Sequence, residues 1–88
     1  MNKTRQETLK SLEEIAGELI SSINLNRLSV GEVMVKYRYS LKNYVDNYNL
    51  TDSQAREITE IFCHKLDEDG LVKFSKRIQD KINATYKE

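Results

Sequence analysis

Thr4 with Glu7, Ser29 with Glu32, and Thr51 with Gln54 each set a serine or threonine three positions before a glutamate or glutamine as a helix-spaced apolar run begins. That spacing is a capping box. The hydroxyl accepts from a backbone N–H of the first turn, and the longer side chain accepts from the backbone N–H of the capping residue. Such a box says where a helix starts, so these pairs divide the chain into helical segments before anything else is known.

The apolar spacing agrees. In the first segment Leu9, Leu12, Ala16, Leu19, Ile20 and Ile23 recur at three- and four-residue steps, with Glu7, Glu14 and Glu18 opposite. At about 100° per residue, steps of that size make a single stripe. The second segment carries Val30, Val33, Met34, Tyr37, Leu41, Tyr44, Val45 and Tyr48 within about 120° of arc. Leu28 and Val33 occupy the positions of a hydrophobic staple around its cap, and Asn47 and Asn49 are suited to end it. In the third, Ala55, Ile58, Phe62 and Leu66 form the stripe, Ile61 lies at its margin, Leu50 acts as staple and Gly70 is a natural stop. The fourth turns Leu71, Phe74, Ile78 and Ile82 inward, and Asp69 is placed to cap it. No useful period-two alternation competes. The expectation is an all-α fold, a compact bundle of four amphipathic helices over about 5–24, 30–48, 52–68 and 71–86. Short turns join them in a single domain, residues 1–88, with sequential helices roughly antiparallel. Gly17 costs the first helix some propensity and would permit a close backbone approach.

Composition narrows the function. Fourteen basic and fourteen acidic residues give zero formal charge, so no global field draws the chain to polyanions or membranes. Charge is uneven locally. Lys36, Arg38 and Lys42 face only Asp46 between residues 36 and 49, whereas the 50–70 stretch is acidic and the 71–88 stretch basic. One cysteine, Cys63, excludes an intramolecular disulfide and a cysteine metal cage within one chain. No apolar run approaches a membrane span and the first residues are polar, which gives a cytoplasmic location by elimination and no membrane partner.

"VKYRYSLKNYVDNY", residues 35–48, holds four of the five tyrosines. Tyr37, Tyr44 and Tyr48 belong to the inward stripe, where their rings should bury with the hydroxyls at the bundle rim. Tyr39 projects from the opposite side and shares it with Val35, one turn earlier. Arg38 and Lys42 border that pair. The alternatives are an ordinary exposed apolar pair, a second helix buried on both faces, or a small aromatic anchor with a polar rim of the kind protein interfaces favour.

Several constellations look chemical and do not hold up. "KLDEDGLVKF" sets Asp67, Asp69 and Gly70 at calcium-loop positions, but Lys65 and Lys76 stand where carboxylates must be, so no metal site follows. Cys63 and His64 are adjacent on a helix and diverge by about 100°, which separates a thiol from its base. Glu13, Glu14 and Glu18 read as a solvated face, and the scattered glycines make no phosphate loop. The chain is expected to be no enzyme and to need no cofactor.

What remains is binding. The reading favoured by the sequence is a small helical protein-binding module, a regulator or inhibitor of a larger protein, like those of mobile-element, anti-defence, immunity or antitoxin type. Its contacts would be Val35, Arg38, Tyr39 and Lys42. The main alternative is nucleic-acid binding. Lys73, Lys76, Arg77 and Lys81 cover the outer side of the fourth helix, and would join Lys36, Arg38 and Lys42 if the second and fourth helices adjoin. A structural homodimer or adaptor closing on the Val35–Tyr39 face is a further alternative.

Overall fold

The computed structural model describes residues 11–86. Among the described residues the chain forms four helices and no strand: α1 (Leu12–Ser22), α2 (Val30–Tyr48), α3 (Asp52–Glu68) and α4 (Val72–Thr85). The Thr4–Glu7 box and Leu9 lie outside the described residues. Residues 5–10 of the expected first helix also lie outside the described residues; α1 starts at Leu12, where Ser11 is extended and caps it. Its hydroxyl accepts from Glu14 N–H at 3.1 Å, and Glu14 Oε1 accepts from Ser11 N–H at 3.0 Å. It ends at Ser22, with Ile23 already extended, so residues 23 and 24 lie beyond it.

The other two boxes form as their spacing demands. Ser29 N–H donates to Glu32 Oε1 at 2.9 Å, and Thr51 N–H donates to Gln54 Oε1 at 2.9 Å. Asn49 is left-handed at φ 56°, and Leu50 N–H closes the end of α2 on the Val45 carbonyl. At the end of α3, Gly70 takes φ 80°, Leu71 N–H reaches the Leu66 carbonyl at 2.8 Å and Gly70 N–H the Asp67 carbonyl at 3.0 Å, a Schellman termination. This overturns the capping role expected of Asp69. The chain re-enters helix directly after the glycine, so the N-cap position falls on Leu71, and α4 has no side-chain cap.

The core is built from Ile15, Ala16, Leu19 and Ile23; Val33, Tyr37 and Leu41; Ala55, Ile58, Phe62, Cys63 and Leu66; and Ile78 and Ile82. Ile15, unmarked by the sequence stripe, is fully buried, whereas Leu12 and Ile20 are half-buried beside the core. A Cβ at Gly17 would meet nothing within 4 Å, so the expected close backbone approach there is absent.

Around the bundle, α3 packs most on α4 and α1, while α2 packs on α4 and more lightly on α1. The circular order is thus α1, α3, α4, α2, and the consecutive helices α2 and α3 face each other across the core. The expectation that sequential helices pack side by side fails at this pair. Tyr37 spans the space between the two helices. This long side chain crosses the centre to put its ring 4.4 Å from that of Phe62 and its hydroxyl 2.9 Å from Thr59 Oγ1. α3 and α4 do run antiparallel, since Asn83 near the end of α4 lies by Ser53 and Glu57 near the start of α3.

Candidate binding face on helix α2

The tyrosines divide differently from their expected grouping. Tyr37 is fully buried, and its hydroxyl sits in the core instead of at the rim. Thr59 Oγ1 donates to the Ala55 carbonyl at 2.9 Å, so the Tyr37 hydroxyl is the donor to Thr59. Burial drives its pKa well above the ordinary phenol value, a rise only partly offset by the bond to Thr59. Tyr44 and Tyr48 are half-buried and stack on each other with centroids 5.9 Å apart. Tyr44 donates to Glu18 Oε1 at 2.5 Å, and burial together with that bond pushes its phenol up to about 12. Glu13, Glu14 and Glu18 are all exposed, as expected; Glu18 also ties α1 to α2 through Tyr44, while Glu14 serves the cap.

Tyr39 and Val35 stand out in solvent, 71% and 57% exposed. The alternative in which α2 is buried on both faces is thereby excluded. The inner face of α2 commits Val33, Tyr37 and Leu41 to the core, and at 100° per residue Val35 and Tyr39 fall on the far side. Arg38 and Lys42 flank them on one side and Lys36 on the other, all exposed. Lys42 also pairs with Asp46 at 3.3 Å, an exposed contact of little energetic weight.

Two shallow depressions meet at this ridge. One, of about 330 Å³, is lined by Leu28, Gly31, Glu32, Val35 and Lys36. The other, of about 360 Å³, runs from Ser22 and Ile23 at the end of α1 to Val35, Lys36, Tyr39 and Ser40. They share Val35 and Lys36, so they form one groove along α2. Sequence context marked Leu28 only as a staple residue and Ile23 only as part of an apolar stripe, and did not mark Gly31 or Ser40 at all. Gly31 carried a signal in principle, as a poor helix former placed one turn before an outward valine.

The basic residues of α4, namely Lys73, Lys76, Arg77 and Lys81, are all exposed. α2 and α4 do adjoin. Burial raises the Tyr86 phenol, Lys42 pulls it down, Asp46 and Asp52 push it up, and Arg38 pulls it down, which places all four charges around the end of α4.

Cys63 is fully buried and its thiol donates to the Ser75 carbonyl at 3.4 Å; burial pushes it from 9.0 up to about 11. His64 points outward and meets Glu68 at 3.2 Å on the helix surface, so thiol and imidazole are separated. Asp67 and Asp69 lie exposed on either side of the α3 terminus. Among the described residues no group of three or more His, Cys, Asp or Glu side chains is placed to hold a metal, and no helix is long and apolar enough to cross a membrane. Comparison with known proteins found no matching family model, no matching curated protein and no matching solved structure.

Proposed function

We propose that this chain is a non-enzymatic protein-binding module, a small helical regulator or inhibitor that acts by covering a surface on a larger protein. Regulators of the mobile-element, anti-defence, immunity and antitoxin kinds work in this way. The observation that carries the reading is the Val35–Tyr39 ridge: two large apolar side chains, each more than half exposed, on a helix whose opposite face is committed to the core. An aromatic anchor ringed by Lys36, Arg38 and Lys42 has the make-up of an interface centre with a polar rim.

A second reading is nucleic-acid binding along the seam of α2 and α4, where Arg38 and Lys42 come together with the end of a helix bearing Lys73, Lys76, Arg77 and Lys81. The acidic groups near Tyr86 and the zero net charge weaken that attraction.

The two readings separate on variants and on salt. Affinity capture from the native lysate, with and without nuclease, is followed by binding measurements on the protein recovered. Protein binding predicts one stoichiometric partner indifferent to nuclease, lost with Tyr39→Ala and Val35→Ser and kept when Lys73, Lys76 and Arg77 are all changed to glutamate. Nucleic-acid binding predicts the reverse pattern, with strong weakening by salt. If Tyr39→Ala and Val35→Ser change no interaction, the ridge has no such role.

A further inference from the structure

We infer that the groove beside Val35 receives an acidic amphipathic helix from the partner protein, with Gly31 as the notch that lets it seat. This rests on the protein-binding reading and adds the shape and charge of what binds.

The groove follows α2 through Gly31, Val35 and Tyr39, which are successive positions four residues apart. Four residues of helix rise about 6 Å, so side chains spaced i and i+4 on an incoming helix fall into the depressions on either side of Val35. An extended strand has a similar side-chain repeat, and backbone chemistry decides between the two. Among the described residues there is no strand whose edge could pair with an extended peptide. A strand laid on this apolar floor would gain no backbone partner from the protein, whereas a helix brings its own backbone bonds.

Charge then fixes the polar side of the occupant. Lys36 borders both depressions, and Arg38 stands on the other flank of the ridge with Lys42, which pairs with Asp46. The one carboxylate in the lining, Glu32, accepts from Ser29 N–H at 2.9 Å. An occupant rich in Asp and Glu beside its apolar pair is complementary to this rim. A second copy of the chain is not. A two-fold contact on this face would bring the same basic rim up against its own copy.

Gly31 makes the inference testable without unfolding the bundle. A Cβ there would meet nothing within 4 Å, so a larger side chain fills open space and leaves the core untouched. The test screens the full chain against two display libraries of about 18-residue peptides, about five helical turns. One library is built from helix formers and the other carries proline at every fifth position to prevent helix. The inference predicts enrichment from the first library, with an apolar pair four residues apart and acidic neighbours. Gly31→Leu should weaken the selected peptides by about tenfold or more, the effect of overfilling a packed contact. Val35→Ser should weaken them too, Lys36→Glu should remove the acidic preference, and the urea midpoint of Gly31→Leu should not fall. Enrichment from the proline library alone, lost with Val35→Ser, would overturn the helical occupant and leave the binding face standing. Peptides indifferent to both Gly31→Leu and Val35→Ser would overturn both. Backbone NMR shifts at residues 31–40 that move with protein concentration alone would show a second copy in the groove and overturn the inference.

Discussion

Thr59 and Tyr37 show how much a single buried hydroxyl pair can specify. Thr59 keeps its bond to the Ala55 carbonyl whatever happens at Tyr37, so Tyr37→Phe removes one bond and leaves no stranded donor. The expected cost is about 1 kcal/mol. Thr59→Val is worse, because the Tyr37 hydroxyl is then buried with nothing to donate to; about 1–3 kcal/mol is expected, and the double variant should recover part of it. Urea unfolding of the three variants checks this. The same groups fix the alkaline behaviour. Tyr37 and Cys63 both have folded pKa values raised by burial. Stability is therefore complete while both groups are neutral in the unfolded chain, and it declines as pH rises. The decline begins as the unfolded thiol ionises near 9.0 and continues until Cys63 itself ionises at about 11. Unfolded tyrosine adds to it from about pH 10. Cys63→Ala should flatten the lower part of that arm and Tyr37→Phe the upper part, each by at most about 1.4 kcal/mol per pH unit, read from urea midpoints. The burial of the Tyr37 ring was legible in the sequence, but not the place of its hydroxyl or its bond to Thr59. Tyr37, Tyr44 and Tyr48 share one stripe there, and only packing decides which of them reaches the centre.

At the scale of the element, the sequence was most informative where side chain meets backbone locally. The boxes at Ser29 and Thr51 and the left-handed Asn49 are interactions within a few residues, so spacing alone reveals them, and α2 and α3 begin and end where expected. Asp69 failed as a cap because the Schellman turn at Gly70 sets the register in which α4 restarts. The glycines give a prediction of opposite signs. Gly31→Ala enters open space on a helix with ordinary φ and should stabilise by about 0.5–1 kcal/mol. Gly70→Ala must hold φ near 80° and should destabilise by about 1–2 kcal/mol. Thr51→Ala should cost about 1 kcal/mol as its box is lost. Thermal or urea unfolding of the three variants measures all of these, and a destabilised Gly31→Ala would contradict the open space assigned to that helix face.

For the whole molecule, the all-helical class followed from periodicity, but the arrangement did not. Placing α2 and α3 across the core from each other depends on which pairs of faces fill space together, a property no single stripe carries. The candidate site was half visible. Val35 and Tyr39 stood out because both fall opposite the stripe, whereas Leu28, Ile23 and Gly31 join them only through the meeting of α1, the following turn and α2. The account as a whole requires that α2 be a two-faced helix, one face structural and the other available. That can be measured directly by urea unfolding at several protein concentrations of the double variant Val35→Ser with Tyr39→Ser, beside Leu41→Ala. The account predicts a double variant within about 0.5 kcal/mol of the parent at every concentration and a Leu41→Ala loss of about 2–5 kcal/mol. A double variant destabilised as much as Leu41→Ala would mean the outer face is core, and would contradict the account.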